Sequence, residues 1–209
     1  MFHTLMIDLD NTIYPESSGL MQAISERISL FMVTQMELSI QETQKLRQKF
    51  KKEYGTTLQG LRDLFGIDQE EYLSYVHDID LSAYLQSNDD LVKILAEYPQ
   101  TKVVFSNADC NHILKVLNFL KITHLFELII DVHMVAPYVK PQPESFKITM
   151  DLLGLSSWNG CVFIDDYLPN ILAATSQGIF GIQVDESMET AYQNKISKLC
   201  ELPKIIPTK

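Results

Sequence analysis

Five short apolar runs, separated by stretches of helical periodicity, constrain the fold of this chain more than any other feature. They are Leu5-Met6-Ile7, Val103-Val104-Phe105, Leu128-Ile129-Ile130, Cys161-Val162-Phe163-Ile164 and residues 180–184. The runs are continuous rather than alternating, as expected of strands covered on both faces. Helical patterns near residues 111–120, 144–153 and 171–176 follow the second, third and fourth runs. Strands alternating with helices imply right-handed crossovers, so the expected fold class is α/β with a parallel sheet. Pro143 and Pro169 suit the first turns of the helices they open. The tail after Glu186 is expected to form a last helix ending near Pro203 and Pro207.

Between Pro15 and Gln100 the strand-like runs give way to helical periodicity alone. Leu20, Ile24, Ile28 and Phe31 recur at helical spacing, and Ser39 followed by Glu42 predicts a capping box at the start of a helix carrying Leu46, Phe50 and Tyr54. Further helices are expected near residues 58–64, 69–76 and 88–97, punctuated by Gly55, Gly66 and Pro99. The expected organisation is a core of residues 1–15 and 99–209 with an inserted helical block over residues 16–98.

A chain of 209 residues, 46% hydrophobic, buries a core of ordinary size. Its net charge of −10 excludes a general binder of nucleic-acid polymers, which needs clustered Lys and Arg. No apolar stretch approaches the ~20 residues that span a bilayer, and Met1-Phe2-His3-Thr4 does not open a basic, then apolar leader. A cytoplasmic protein with no membrane partner is expected. Cys110, Cys161 and Cys200 are odd in number and widely spaced, which fits reduced thiols rather than zinc ligands or a disulfide framework.

Two of the apolar runs end in paired acids. Leu5-Met6-Ile7 leads into Asp8-Leu9-Asp10-Asn11-Thr12, and the run ending at Ile164 leads into Asp165-Asp166. Carboxylates just past buried strands carry a desolvation and repulsion penalty of several kcal/mol, which a cation or a reaction relieves. In an open parallel sheet, ligands gather at the carboxyl ends of strands where the winding reverses. Ser106-Asn107 leaves another strand there, and Lys140 lies just ahead of a predicted helix. Carboxylates as hard oxygen ligands, with a lysine and a hydroxyl to hold an anion, describe a magnesium-dependent phosphoryl-transfer site.

These residues resemble the four motifs of the haloacid dehalogenase-like superfamily, in order and over nearly the whole chain. Asp8-Leu9-Asp10-Asn11-Thr12 is similar to the DxDx(T/V) first motif, Ser106 to the second, Lys140 to the third, and Asp165-Asp166 to the fourth. The resemblance implies a Rossmann-like core with an all-helical cap inserted after the first motif. It implies Asp8 as nucleophile, Asp10 as general acid, and Ser106 and Lys140 as stabilisers of the phosphoryl group. It also implies Mg2+ held by Asp8, Asp165 and the Asp10 carbonyl. Asp166 would be a further ligand through water or a partner of Lys140. Asn107 would contribute to phosphate binding. Residues 8–15, the stretch Lys52-Glu53-Tyr54-Gly55-Thr56-Thr57-Leu58, and Phe163-Ile164-Asp165-Asp166 with Pro169-Asn170 are most similar to the pyrimidine 5′-nucleotidase branch. A nucleoside 5′-monophosphate is the implied substrate, with Tyr54, Gly55 and Thr57 near its base.

Plainer roles compete with several of these. Asp8 and Asp10 alone would suit a turn or helix cap, Asp109 suits a cap for the helix near residue 111, and Asn170 suits a packing or turn position. His3, His77, His112, His124 and His133 show no ligand spacing and are assigned no role. The basic residues between Lys45 and Lys52 read as a solvated helix face, and Phe65, Tyr72 and Tyr75 as helical core. Tyr167 stands where many relatives carry a small residue. A generic small-molecule phosphatase or phosphotransferase shares all four motifs. A dehalogenase does not need Asp10, and a non-enzymatic binding protein is expected to have a broken motif. Oligomeric state is not encoded in any of these features.

Overall fold

The computed structural model describes residues 2–208; Met1 and Lys209, at the ends of the expected core, lie outside the described residues. The chain divides into two compact units, one of residues 1–18 and 85–209 and one of residues 19–84.

The first unit is built on a six-stranded, wholly parallel sheet of order β3-β2-β1-β4-β5-β6. Its strands are β1 (Thr4–Ile7), β2 (Thr101–Phe105), β3 (Leu128–Ile130), β4 (Cys161–Asp165), β5 (Phe180–Val184) and β6 (Lys195–Ile196). The five expected runs are the first five strands. β1 and β4 are buried throughout, which is why their sequences do not alternate. This is the Rossmann-like α/β class, with the winding reversing between β1 and β4. Helices α6 (Cys110–Phe119), α7 (Pro143–Leu152) and α8 (Leu168–Ser176) supply the crossovers, with Pro143 and Pro169 in first turns and Asp109 capping α6. The apolar core between sheet and helices includes Met6, Val103, Ile130, Trp158 and Ile171. It also holds Phe105, Phe146 and Phe163, whose ring centroids lie 5.4 to 5.8 Å apart.

The expected C-terminal helix does not form. Residues Lys195–Ile196 instead add a sixth parallel strand, with Asp185 donating its N–H to the Ile196 carbonyl at 2.8 Å. A 3-10 turn at Leu199–Lys204 follows, and Pro203 inside it cannot supply a helical N–H. Helix α5 (Asp89–Glu97) buries Leu91 and Leu95 and packs against that turn, so it belongs to the sheet unit rather than to the inserted block. The helical unit is therefore shorter than residues 16–98.

The second unit contains α1 (Leu20–Gln35), α2 (Ile40–Tyr54), α3 (Thr57–Phe65) and α4 (Gln69–Val76). Its apolar stripe, including Ile24, Phe31, Phe50, Leu61 and Tyr72, is buried. The predicted capping box at Ser39 and Glu42 opens α2. Gly60 sets the approach of α3 to α2: a Cβ there would lie 2.4 Å from the Phe50 ring. Arg47, read as part of a solvated face, instead donates to the Ser25 carbonyl and the Ser25 and Ser29 hydroxyls of α1.

Candidate active site

The carboxyl ends of β1 and β4, with the loop after β3, bring together Asp8, Asp165, Asp166 and Lys140. Asp8 continues β1 and donates its N–H to the Ile164 carbonyl at 2.9 Å, which ties it to β4. Asp165 is the last residue of β4 and wholly buried. Carboxylate oxygens of Asp8, Asp165 and Asp166 lie within 4.8 Å of one another.

Lys140 is buried at the centre of this cluster. Its ammonium donates to Asp8 Oδ1 at 2.7 Å, Asp165 Oδ2 at 2.8 Å and the Phe105 carbonyl at 2.7 Å. It also stands 5.1 Å from the centroids of both the Phe105 and Phe163 rings. Burial alone would lower its pKa, but Asp165 and Asp8 outweigh that and raise it. The ammonium is thus held charged, and one oxygen of Asp8 is fixed by it.

A single ammonium among three clustered carboxylates leaves excess negative charge. Burial pushes the Asp8 pKa well up; Lys140 opposes, while Asp165, Asp166 and Asp10 add to the rise. Asp166 is pushed up to about 7 by burial and by Asp165, against the Asn11 hydrogen bond. A divalent cation would relieve this frustration, and three carboxylates are the donor set that a hard cation such as magnesium takes. The residues fit such an ion.

Asp165 is oriented from two further directions. Tyr167 donates its backbone N–H to Oδ1 at 2.8 Å, and the Asn170 amide donates to both oxygens at 3.0 Å. Asn170, left out of the expected set, therefore supports this carboxylate directly; its place one turn into α8 aims it back at the strand end. Lys140 acts on Asp166 through its charge, which lowers the Asp166 pKa. Asp166 accepts from Asn11 Nδ2 at 3.3 Å.

Asn107 departs from its expected use. Its side chain donates to the Lys140 carbonyl at 3.0 Å and accepts the Lys140 N–H at 2.9 Å, so it clamps the lysine's backbone. Ser106 is buried and accepts the Ala108 N–H at 3.1 Å. Asp10 is not one of the three clustered carboxylates, though its charge raises the pKa of both Asp8 and Asp166. Its Oδ1 accepts from the Tyr14 hydroxyl at 2.5 Å and lies 3.2 Å from His112 Nε2. His112 was assigned no role, yet the first turn of α6 carries it to Asp10. The signal was tertiary, because nothing near residue 112 in sequence is acidic and suitably spaced except its own cap, Asp109. Burial, then the Asp10 charge and hydrogen bond, raise the Tyr14 pKa well above its ordinary value, so the phenol keeps its proton.

Tyr54, Gly55 and Thr57 lie together in the helical unit, at the corner between α2 and α3. Tyr54 ends α2 with its ring edge-on to Phe50 at 5.9 Å, Gly55 turns the chain at φ 82°, and Thr57 is buried in the first turn of α3.

The description "haloacid dehalogenase-like hydrolase" belongs to a sequence family whose model matches residues 2–178. Among curated proteins, the chain is 27% identical over 206 residues to phosphate metabolism protein 8 of Saccharomyces cerevisiae. The match covers 91% of this chain and 64% of that protein, so the chain spans less than two thirds of its relative's length. Among solved structures, a HAD phosphatase from Thermococcus onnurineus superposes with a TM-score of 0.68 at 20% identity, covering 100% of this chain and 99% of the other. L-2-haloacid dehalogenase from Xanthobacter autotrophicus gives 0.61 at 15%, covering 99% and 98%. A HAD-hydrolase of Bacillus subtilis bound to magnesium gives 0.65 at 17%, covering 98% of each chain. Both the fold and the matched span of sequence lead to one assignment: the chain belongs to the haloacid dehalogenase-like hydrolases.

Proposed function

We propose that this chain is a magnesium-dependent phosphomonoester hydrolase that acts through an aspartyl-phosphate on Asp8. The observation carrying the reading is the Lys140 ammonium bound to one oxygen of Asp8 within a cluster of three carboxylates. The phosphatase and phosphate-metabolism names of two relatives support it. With Oδ1 held by Lys140, Asp8 attacks phosphorus through Oδ2; the P–O bond to the alcohol breaks, and the leaving oxygen takes a proton from Asp10. Asp10 then removes a proton from water, which attacks the phosphoryl group and returns Asp8 as a carboxylate with release of phosphate. Ser106 holds a phosphoryl oxygen, and the Lys140 charge neutralises Asp8 and the phosphoryl group beside it. Magnesium held by Asp8 and Asp165, with Asp166 and the Asp10 carbonyl as further ligands, would supply charge neutralisation on those oxygens.

For substrate we propose a nucleoside 5′-monophosphate, pyrimidine favoured, with Tyr54, Gly55 and Thr57 of the helical unit acting in selectivity as a cap. Similarity of residues 52–58 to pyrimidine 5′-nucleotidases supports this, together with the tyrosine ring and turned backbone found at that corner. Phosphate release from UMP, CMP, AMP, ribose 5-phosphate and glycerol phosphate, in EDTA and with magnesium restored, tests both parts. Turnover should vanish in EDTA and return with magnesium, and kcat/KM should be highest for UMP or CMP. Undiminished turnover in EDTA refutes the metal; equal kcat/KM across the panel, or a Tyr54→Ala variant that slows nucleotides no more than sugar phosphates, refutes the base-reading cap.

A further inference from the structure

Asp10 is held from two sides by groups that neither the four motifs nor the family assignment includes. The Tyr14 hydroxyl and His112 Nε2 converge on the same oxygen, Oδ1, at 2.5 and 3.2 Å. One is near in sequence and one far, Tyr14 from the turn after β1 and His112 from the first turn of α6. Each is itself immobilised. Tyr14 is buried in the core, and the His112 side chain is 1% exposed, with its backbone N–H bonded to the Asp109 cap at 3.1 Å. The Asp10 side chain is by contrast 20% exposed, which leaves it reachable by a bound ester.

We propose that Tyr14 and His112 are positioning residues that select which oxygen of Asp10 handles the proton. The inference rests on the phosphatase reading above. A carboxyl oxygen that accepts two hydrogen bonds is the carbonyl-like oxygen, so the acid proton resides on Oδ2. Two donors on one oxygen also stop the carboxyl group from rotating about its terminal torsion, which is otherwise broad. Alignment of the transferred proton with the leaving oxygen is thereby built in before substrate arrives, and in the phosphoryl-transfer step such alignment matters only when the leaving group needs a proton. His112 acts here as the tautomer bearing hydrogen on Nε2. No bond to either residue forms or breaks during the reaction.

Leaving-group dependence tests the role. Tyr14→Phe and His112→Ala should each lower kcat/KM, which reports the steps through phosphoryl transfer to Asp8, about 10- to 100-fold for an alkyl ester such as glycerol phosphate or UMP. On p-nitrophenyl phosphate, whose phenolate leaves without a proton, the same variants should retain kcat/KM within about threefold. His112→Gln, which can offer an amide N–H near the same place, should recover part of the loss. In an Asp10→Asn background, either change should have no further effect on alkyl esters. Equal losses on both ester types would show a merely structural role and overturn the proposal, as would wild-type rates in both variants. Wild type inactive on every ester would sink the phosphatase reading itself, whereas active wild type with uniform losses sinks this inference alone. Tyr14→Phe keeps the test decisive should the buried His112→Ala variant fail to fold.

Discussion

Replacing Asp166 with asparagine should stabilise the metal-free protein near neutral pH and forfeit much of the stabilisation that magnesium gives the wild type. Burial and Asp165 push this carboxyl from its ordinary 3.8 up to about 7. A carboxyl raised in the folded state contributes its full stability below the unfolded value, and that contribution is lost as pH rises through the folded value. At about 1.4 kcal/mol per pH unit, the window from 3.8 to about 7 makes ionised Asp166 unfavourable by about 4 kcal/mol in metal-free protein. The amide has nearly the same shape, has no charge to desolvate and can still accept from Asn11. In EDTA, Asp166→Asn should therefore match wild type near pH 4 and exceed it increasingly toward pH 8, by about 2–4 kcal/mol. Magnesium narrows that lead. Saturation at a hundred times the dissociation constant stabilises wild type by about 2.7 kcal/mol, and the variant, short of one carboxylate, should gain much less. Urea unfolding from pH 4 to 8, in EDTA and in magnesium, gives both differences directly. Parallel pH curves for the two proteins in EDTA would refute the charge argument, and equal magnesium gains would remove Asp166 from the cation site.

Asp8→Asn should lower kcat for phosphate release by on the order of 10³-fold or more, because an amide is a very poor nucleophile; steady-state kinetics with magnesium present checks it. Lys140→Met leaves buried carboxylates without their ammonium and should destabilise metal-free protein by about 3–5 kcal/mol. Beryllium fluoride, which mimics a phosphorylated aspartate, should also bind that variant more weakly than wild type, as titration calorimetry would show. Gly60→Ala should destabilise the helical unit by about 1–3 kcal/mol through overpacking, despite the better helix propensity of alanine. The measurement is the urea midpoint at constant m-value, and the cause is the added Cβ 2.4 Å from Phe50.

What was legible in the sequence was local. A strand buried on both faces must be apolar throughout, so each of the first five strands could be located from a run of three to five residues, and the acids that end β1 and β4 stood out against them. The capping box at Ser39 and the first-turn prolines were equally local, each needing only a few residues to declare itself. Interactions across the fold were not legible in this way. His112 reaches Asp10 only because α6 begins beside the end of β1, and Asn107 turns to the Lys140 backbone only because the loop after β3 passes there. β6 is two residues long, too short to carry a period, and exists because the edge of β5 accepts it. The helix at Asp89–Glu97 was readable as a helix, yet its allegiance depended on a turn near the other end of the chain.

The strand that carries Asp8 and leads to Asp10 occupies the middle of the sheet, paired with β2 from Thr101 and with β4 from Cys161. Of the strands in this sheet it is the first to be synthesised. During synthesis β1 must therefore wait, an apolar segment with both edges unsatisfied, until most of the chain has been made, whereas the helical unit that follows it makes chiefly local contacts and can fold while translation continues. Pairing between such distant segments is slow, and an unpaired apolar strand is a surface for aggregation in the interval. The same centrality protects function afterwards. A chain that has not completed β4 has neither Asp165 nor Asp166 to place beside Asp8, so the three-carboxylate cluster exists only once the sheet is assembled.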